Sequence, residues 1–142
     1  MLDLGELNQA MVDHLRAGMY DLGLKAVHYG DINMIGPIPC IAVIPRQVDH
    51  VPTDTYMQAL DDGELHIFLY HDRLQNVRDN LKECLEYTKT VKEYILTENQ
   101  LGGLVVFSWI SQQSIGQTTF NNDDLLVSSR LVWMGRTRTP FR

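Results

Sequence analysis

The stretch GELHIFLYHDR places two histidines, His66 and His71, five positions apart, with Asp72 directly after the second. Imidazoles next to a carboxylate are the parts of a metal site or an acid–base pair. Side chains alternate faces along a strand, so an odd separation sends the two rings to opposite sides of a sheet. They converge on one ion only if the strand bends or ends between them. Leu65, Ile67, Leu69 and His71 then share one face, and His66, Phe68 and Tyr70 the other.

The remaining candidates are weaker. Asp61–Asp62 and Asp123–Asp124 are paired carboxylates beside glycine and asparagine, where turn structure is the expected role. Ser108 and Ser111 have no neighbouring histidine and no GxSxG elbow. Neither GxGxxG nor GxxxxGK[ST] occurs, so no phosphate-cradling loop is expected. Cys40 lies in an apolar strand-like run and Cys84 on the apolar side of a helix, as buried free thiols would. An enzyme would have to assemble its site from scattered groups such as His28, His50 and His66. No catalytic, cofactor-binding or metal-ligating residue is assigned, and a non-enzymatic protein is expected.

With 142 residues, 44% hydrophobic and 21% charged, the chain suits a single domain over 1–142 with one core. No apolar run reaches the length of a membrane span. Met1 leads into LDLGEL without a basic or apolar leader, so a cytoplasmic setting without membrane is expected. A net charge of −6 argues against a general grip on nucleic acid. The exception is the C-terminal end, where Arg130, Arg136, Arg138 and Arg142 are four of the twelve basic residues.

These residues need elements to position them. Asp3 with Glu6 has the spacing of a helix cap, and Leu4, Leu7, Met11, Leu15, Met19 and Leu22 form one stripe that Gly23 stops. His14 flanks that stripe as a boundary imidazole. LKAVHY and CIAVI read as strands, the second closed by Pro45. Residues 45–63 hold no sustained period and read as a long loop, mobile in a free subunit. Asp72 with Gln75 repeats the capping pattern at a strand-to-helix junction. Leu74, Val77, Leu81, Cys84, Leu85, Thr88, Val91 and Ile95 then trace a long helix. LVVFSWIS gives a strand with Val105, Phe107 and Trp109 on one face. Residues 111–124 read as a second mobile loop, with Phe120 near its tip. LLVSSRLVWMGRTR closes the chain as a strand with Leu125, Val127, Leu131 and Trp133 buried and Ser128, Arg130 and Met134 wetter, before a basic tail over 136–142. The expected fold is α+β, order α-β-β-β-α-β-β, with a mixed or antiparallel sheet packed by two amphipathic helices.

The whole pattern resembles the tail-terminator, or neck-region, proteins of long-tailed bacteriophages. It is carried by the capped N-terminal helix, PIPCIAVIP entering its loop, GELHIFLYHDRLQNVRDNLKECLEYTKTVKEYI as strand then helix, and SSRLVWMGRTR with its arginines, over about 1–138. The resemblance is shared with head–tail connector and minor tail subunits. It implies a virion protein of the tail or neck that assembles in the host cytoplasm as a homo-oligomeric ring, commonly a hexamer. Such a ring caps the tail tube protein, meets the head connector, lets DNA pass through its lumen without sequence-specific binding, and needs no cofactor. Arg130, Arg136, Arg138, Phe120, Arg46 and Asp49 are the expected oligomer or partner contacts. Exposed charges contribute little to stability, so Arg136 and Arg138 are expected to be replaceable without loss of the fold.

Overall fold

In a computed structural model, which describes residues 2–31, 36–52, 58–73, 77–119 and 125–140, the N-terminal stripe folds as α1 (Leu4–Ala17). Asp3 is its N-cap, accepting from the Glu6 amide at 3.2 Å. The helix breaks at Gly18 rather than running on to Gly23. A single turn, α2 (Met19–Leu22), follows and ends at Gly23, whose φ of 70° is the left-handed conformation that glycine tolerates. Gly18 is needed for closeness rather than conformation: a Cβ there would enter the ring of Tyr94.

The sheet has five strands: β1 (Ala26–Tyr29), β2 (Cys40–Pro52), β3 (Gln58–Arg73), β4 (Phe107–Thr119) and β5 (Leu125–Pro140), in spatial order β1-β2-β3-β5-β4. β1 runs parallel to β2 and every other pairing is antiparallel, so the sheet is mixed. Between β3 and β4 lies α3 (Val77–Thr97). The α+β class and element order are as expected, with α2 added.

Both long loops are corrected. Most of 45–63 is the ladder between β2 and β3, which continues from Gln47 opposite Glu64 to Pro52 opposite Ala59. Most of 111–124 is strand paired with β5, from Gln112 opposite Val132 to Thr119 opposite Leu125. Phe120 and the Asp123–Asp124 pair lie outside the described residues. The Asp72 cap is also overturned: its backbone stays in β3 opposite Val127, and Gln75 lies outside the described residues.

Among the described residues, the helices cover one sheet face only. Leu7, Met11, Val12 and Leu15 of α1 and Val91 and Ile95 of α3 pack with Ile41, Val43, Leu65, Ile67, Leu69, Leu131 and Trp133 in one core cluster. Leu85, expected on the α3 stripe, is 46% exposed. Room for the start of α1 comes from Gly63, where a Cβ would lie 2.6 Å from Leu7 Cδ2. Val105 belongs to this core ahead of β4, not to the face of Phe107 and Trp109, which stack on each other at 5.3 Å. α1 and α3 are tied by a reciprocal contact: His14 Nε2 lies 3.1 Å from the Tyr94 carbonyl, and Tyr94 Oη donates to the His14 carbonyl at 2.6 Å. The rings stack at 4.4 Å.

Candidate assembly surface

The second sheet face has no helix over it among the described residues. Directly paired residues point to the same face, so the ladders spell out its rows. One row runs His28, Ala42, Phe68, Arg130, Ser114 across all five strands. Further along, Gln47, Glu64, Met134 and Trp109 form another, and then Asp49, Asp62, Arg136 and Phe107. Near one end, Cys40, Ala42, Tyr70 and Leu126 make a small second core, with Ala26, Ile38 and Phe68 partly buried on it. Burial pushes the Cys40 thiol up to about 11 and the Tyr70 phenol up to about 12, so both are neutral here.

Three of the expected contact arginines therefore share this open face. Arg138 is exposed. Arg130 donates from Nη2 to Gln112 Oε1 at 2.9 Å and has no carboxylate partner among the described residues; its Nε is buried without a partner. It borders a shallow groove of about 320 Å³ with Phe68, Ser114, Gly116, Gln117 and Ser128. Arg136 is engaged within its own chain. Its Nε and Nη2 donate to the two Asp62 oxygens at 2.7 and 2.8 Å, a bidentate fork, and its guanidinium lies 5.8 and 5.5 Å from the ring centres of Phe107 and Trp109. The hydrogen bonds it donates to Asp62 hold its pKa above the ordinary guanidinium value.

Asp49 joins the same face and accepts from Gln47 Nε2 at 3.3 Å, while Arg46 sits exposed at the bulge between Pro45 and Gln47. Asp61 and Asp62 are strand residues, not turn residues, and both are buried. Asp61 points to the helix side, where it accepts from the Leu2 amide at 3.4 Å and meets His50 Nδ1 at 2.6 Å. Sequence reasoning missed Asp62 as the partner of Arg136. The available signal was that DDGE at the head of one strand and MGRTR at the tail of another are complementary in an antiparallel ladder.

The histidines do not gather. His66 is on the open face, 2.8 Å from Glu64 Oε2, whereas His71 turns to the helix side with its ring 5.3 Å from that of Tyr87. His28 shares the open face with His66, and His50 takes the other. This arrangement can offer charge, aromatic surface and hydrogen bonds to a protein partner. No described helix is long and apolar enough to cross a membrane.

No protein-family model and no curated protein sequence matches the chain. Among solved structures it is similar to a chain of the "Virion of native gene transfer agent (GTA) particle", with a TM-score of 0.55 and 17% identity over 93% of this chain and 94% of that one. At that identity the likeness defines a shared fold.

Proposed function

We propose that the chain is a structural subunit of a phage-like particle, without enzymatic activity, located in the tail or neck of the virion. In this reading it forms a homo-oligomeric ring, a hexamer, that terminates the tail tube and meets the head connector. The observation that carries it is a sheet clothed by helices on one side only among the described residues, whose other side collects Arg130, Arg136, Arg138, Asp49 and stacked aromatics. A ring needs unlike surfaces that meet head to tail, and the helix layer and the open face are two such surfaces. The likeness in fold, over nearly the whole of both chains, to a component of a gene transfer agent virion supports the same reading.

Mass by light scattering over a range of concentrations, with electron microscopy of the product, tests it. A six-fold mass, rings, and tubes held to fixed length when the protein is added are expected. Rings that leave tube length unchanged would move the chain to a connector or minor tail role. A strict monomer that neither forms rings nor associates with tubes would overturn the proposal.

A further inference from the structure

We infer that the outer edge of β4 pairs antiparallel with β4 of a second copy, about a two-fold axis at Ile115. β4 is an edge strand of 13 residues, and from Phe107 to Thr119 it holds no charge and no proline, in a chain that is 21% charged. Edge strands that remain single are commonly guarded by lysine, proline or bulges against pairing with another chain. Here one bulge, between Ile110 and Gln112, interrupts the ladder, and residues 112–118 beyond it run on in unbroken register with β5. Residues 111–117 are exposed throughout.

The opposite side of the sheet is guarded. β1 has four residues, and Arg16 donates from Nε and Nη2 to the Val27 carbonyl at 3.3 and 3.0 Å. Where β2 extends past β1, its edge carries Pro45, a bulge, Arg46 and Asp49. Continuation of the sheet from β4 onto that side meets these obstacles, whereas β4 against β4 meets none. With Ile115 opposite its counterpart, Ser114 faces Gly116, Gln113 faces Gln117 and Gln112 faces Thr118. No like charges are opposed, the glutamine amides can bond across the strands, and Ile115, 38% exposed, is covered. Two-fold pairing closes at two copies, so it describes the free subunit and leaves the helix layer and most of the open face available.

The test is self-cross-linking of the full chain. Directly opposed residues in an antiparallel pair lie about 4.5–5.5 Å apart at Cα, within disulfide range. Both native cysteines, Cys40 and Cys84, are buried and do not compete. Ile115→Cys is expected to give a disulfide-linked dimer on mild oxidation, at least about tenfold faster than Gln112→Cys, whose counterpart is Thr118. At concentrations below those that give rings, sedimentation of the unmodified chain should show a dimer, and Gln113→Lys with Ser114→Lys should shift it to monomer with an unchanged circular dichroism spectrum. A monomeric unmodified chain, or equal cross-linking at both positions, would overturn the inference. If a six-fold ring forms without any cross-link through position 115, the edge pairing fails while the proposed ring stands; a cross-linked dimer that never forms rings gives the reverse.

Discussion

At the scale of single residues, the structure divides the arginines. Arg138 is an exposed charge, but Arg136 holds both oxygens of Asp62, whose side chain is 11% exposed. Removing the guanidinium leaves a nearly buried carboxylate without its partner. Arg136→Ala should therefore cost about 1–3 kcal/mol in urea denaturation, against roughly 0.5 kcal/mol or less for Arg138→Ala. Pairing Arg136→Met with Asp62→Asn should recover part of the loss, because the unpaired charge is removed as well. The sequence showed the arginines but not their partner, since a cross-strand contact between residues 62 and 136 has no local signature. Cys40 gives a second residue-scale prediction. Burial raises its pKa from 9.0 to about 11 in the folded state. The neutral thiol's contribution is complete below 9.0 and is lost as pH rises through about 11, so the melting temperature should be level near neutrality and fall across that window. Burial of Tyr87, pushed up to about 12, acts in the same direction. Thermal melts across alkaline pH, with slow thiol labelling of the native chain and fast labelling in denaturant, check the pair of expectations.

At the scale of elements, the helices were legible and the strands were cut short. The 3.6-residue period survives along the whole of α1 and much of α3 because nothing interrupts it: Leu7, Met11 and Leu15, then Cys84, Thr88, Val91 and Ile95, are all buried. Period-2 alternation fails differently. Ladder shifts at Arg46 in β2, His71 in β3 and Ser111 in β4 each reset the parity, so one strand reads as a strand followed by an unpatterned loop. Pro45 reinforced that error in β2. It is tolerated because β1 ends at Tyr29, opposite Val43, and the strand beyond is an edge. The contact of α1 with α3 was invisible for another reason: His14 and Tyr94 lie 80 positions apart and bond through each other's carbonyls. That junction predicts an unusual glycine. Helix propensity alone favours alanine at an interior or terminal position, yet Gly18→Ala should destabilise the chain by about 1–3 kcal/mol because the added methyl displaces the Tyr94 ring. Tyr94→Phe should cost about 1 kcal/mol through the lost hydrogen bond to the His14 carbonyl. Denaturation of the two single variants and the double variant gives the coupling, and additive losses would show that Gly18 and Tyr94 act independently.

At the scale of the whole molecule, the question is how an acidic chain with basic residues on one sheet face meets its neighbours. Its −6 net charge opposes association of like copies at long range, while Arg46, Arg130 and Arg138 give local cationic points on or beside the open face. Such contrast acts mainly on encounter rate and register, and salt screens it within about 10 Å at 0.1 M. A ring held in register by these contacts should assemble more slowly as salt rises, even where its final mass is unchanged. Arg46→Glu together with Arg138→Glu should leave the free energy of unfolding within about 0.5 kcal/mol of the parent, because both side chains are exposed and neither forms an intramolecular ion pair among the described residues. Ring formation, followed by time-resolved light scattering, should slow by at least about tenfold, since a charge reversal turns each attraction into a repulsion. Arg136 is unsuited to this test, because its reversal would set a second carboxylate against Asp62 and confound assembly with folding. If the double reversal assembles at the parental rate and the parent shows no dependence on salt, the arginines are solvated bystanders and the subunits meet through the aromatic part of the face around Phe107 and Trp109 instead.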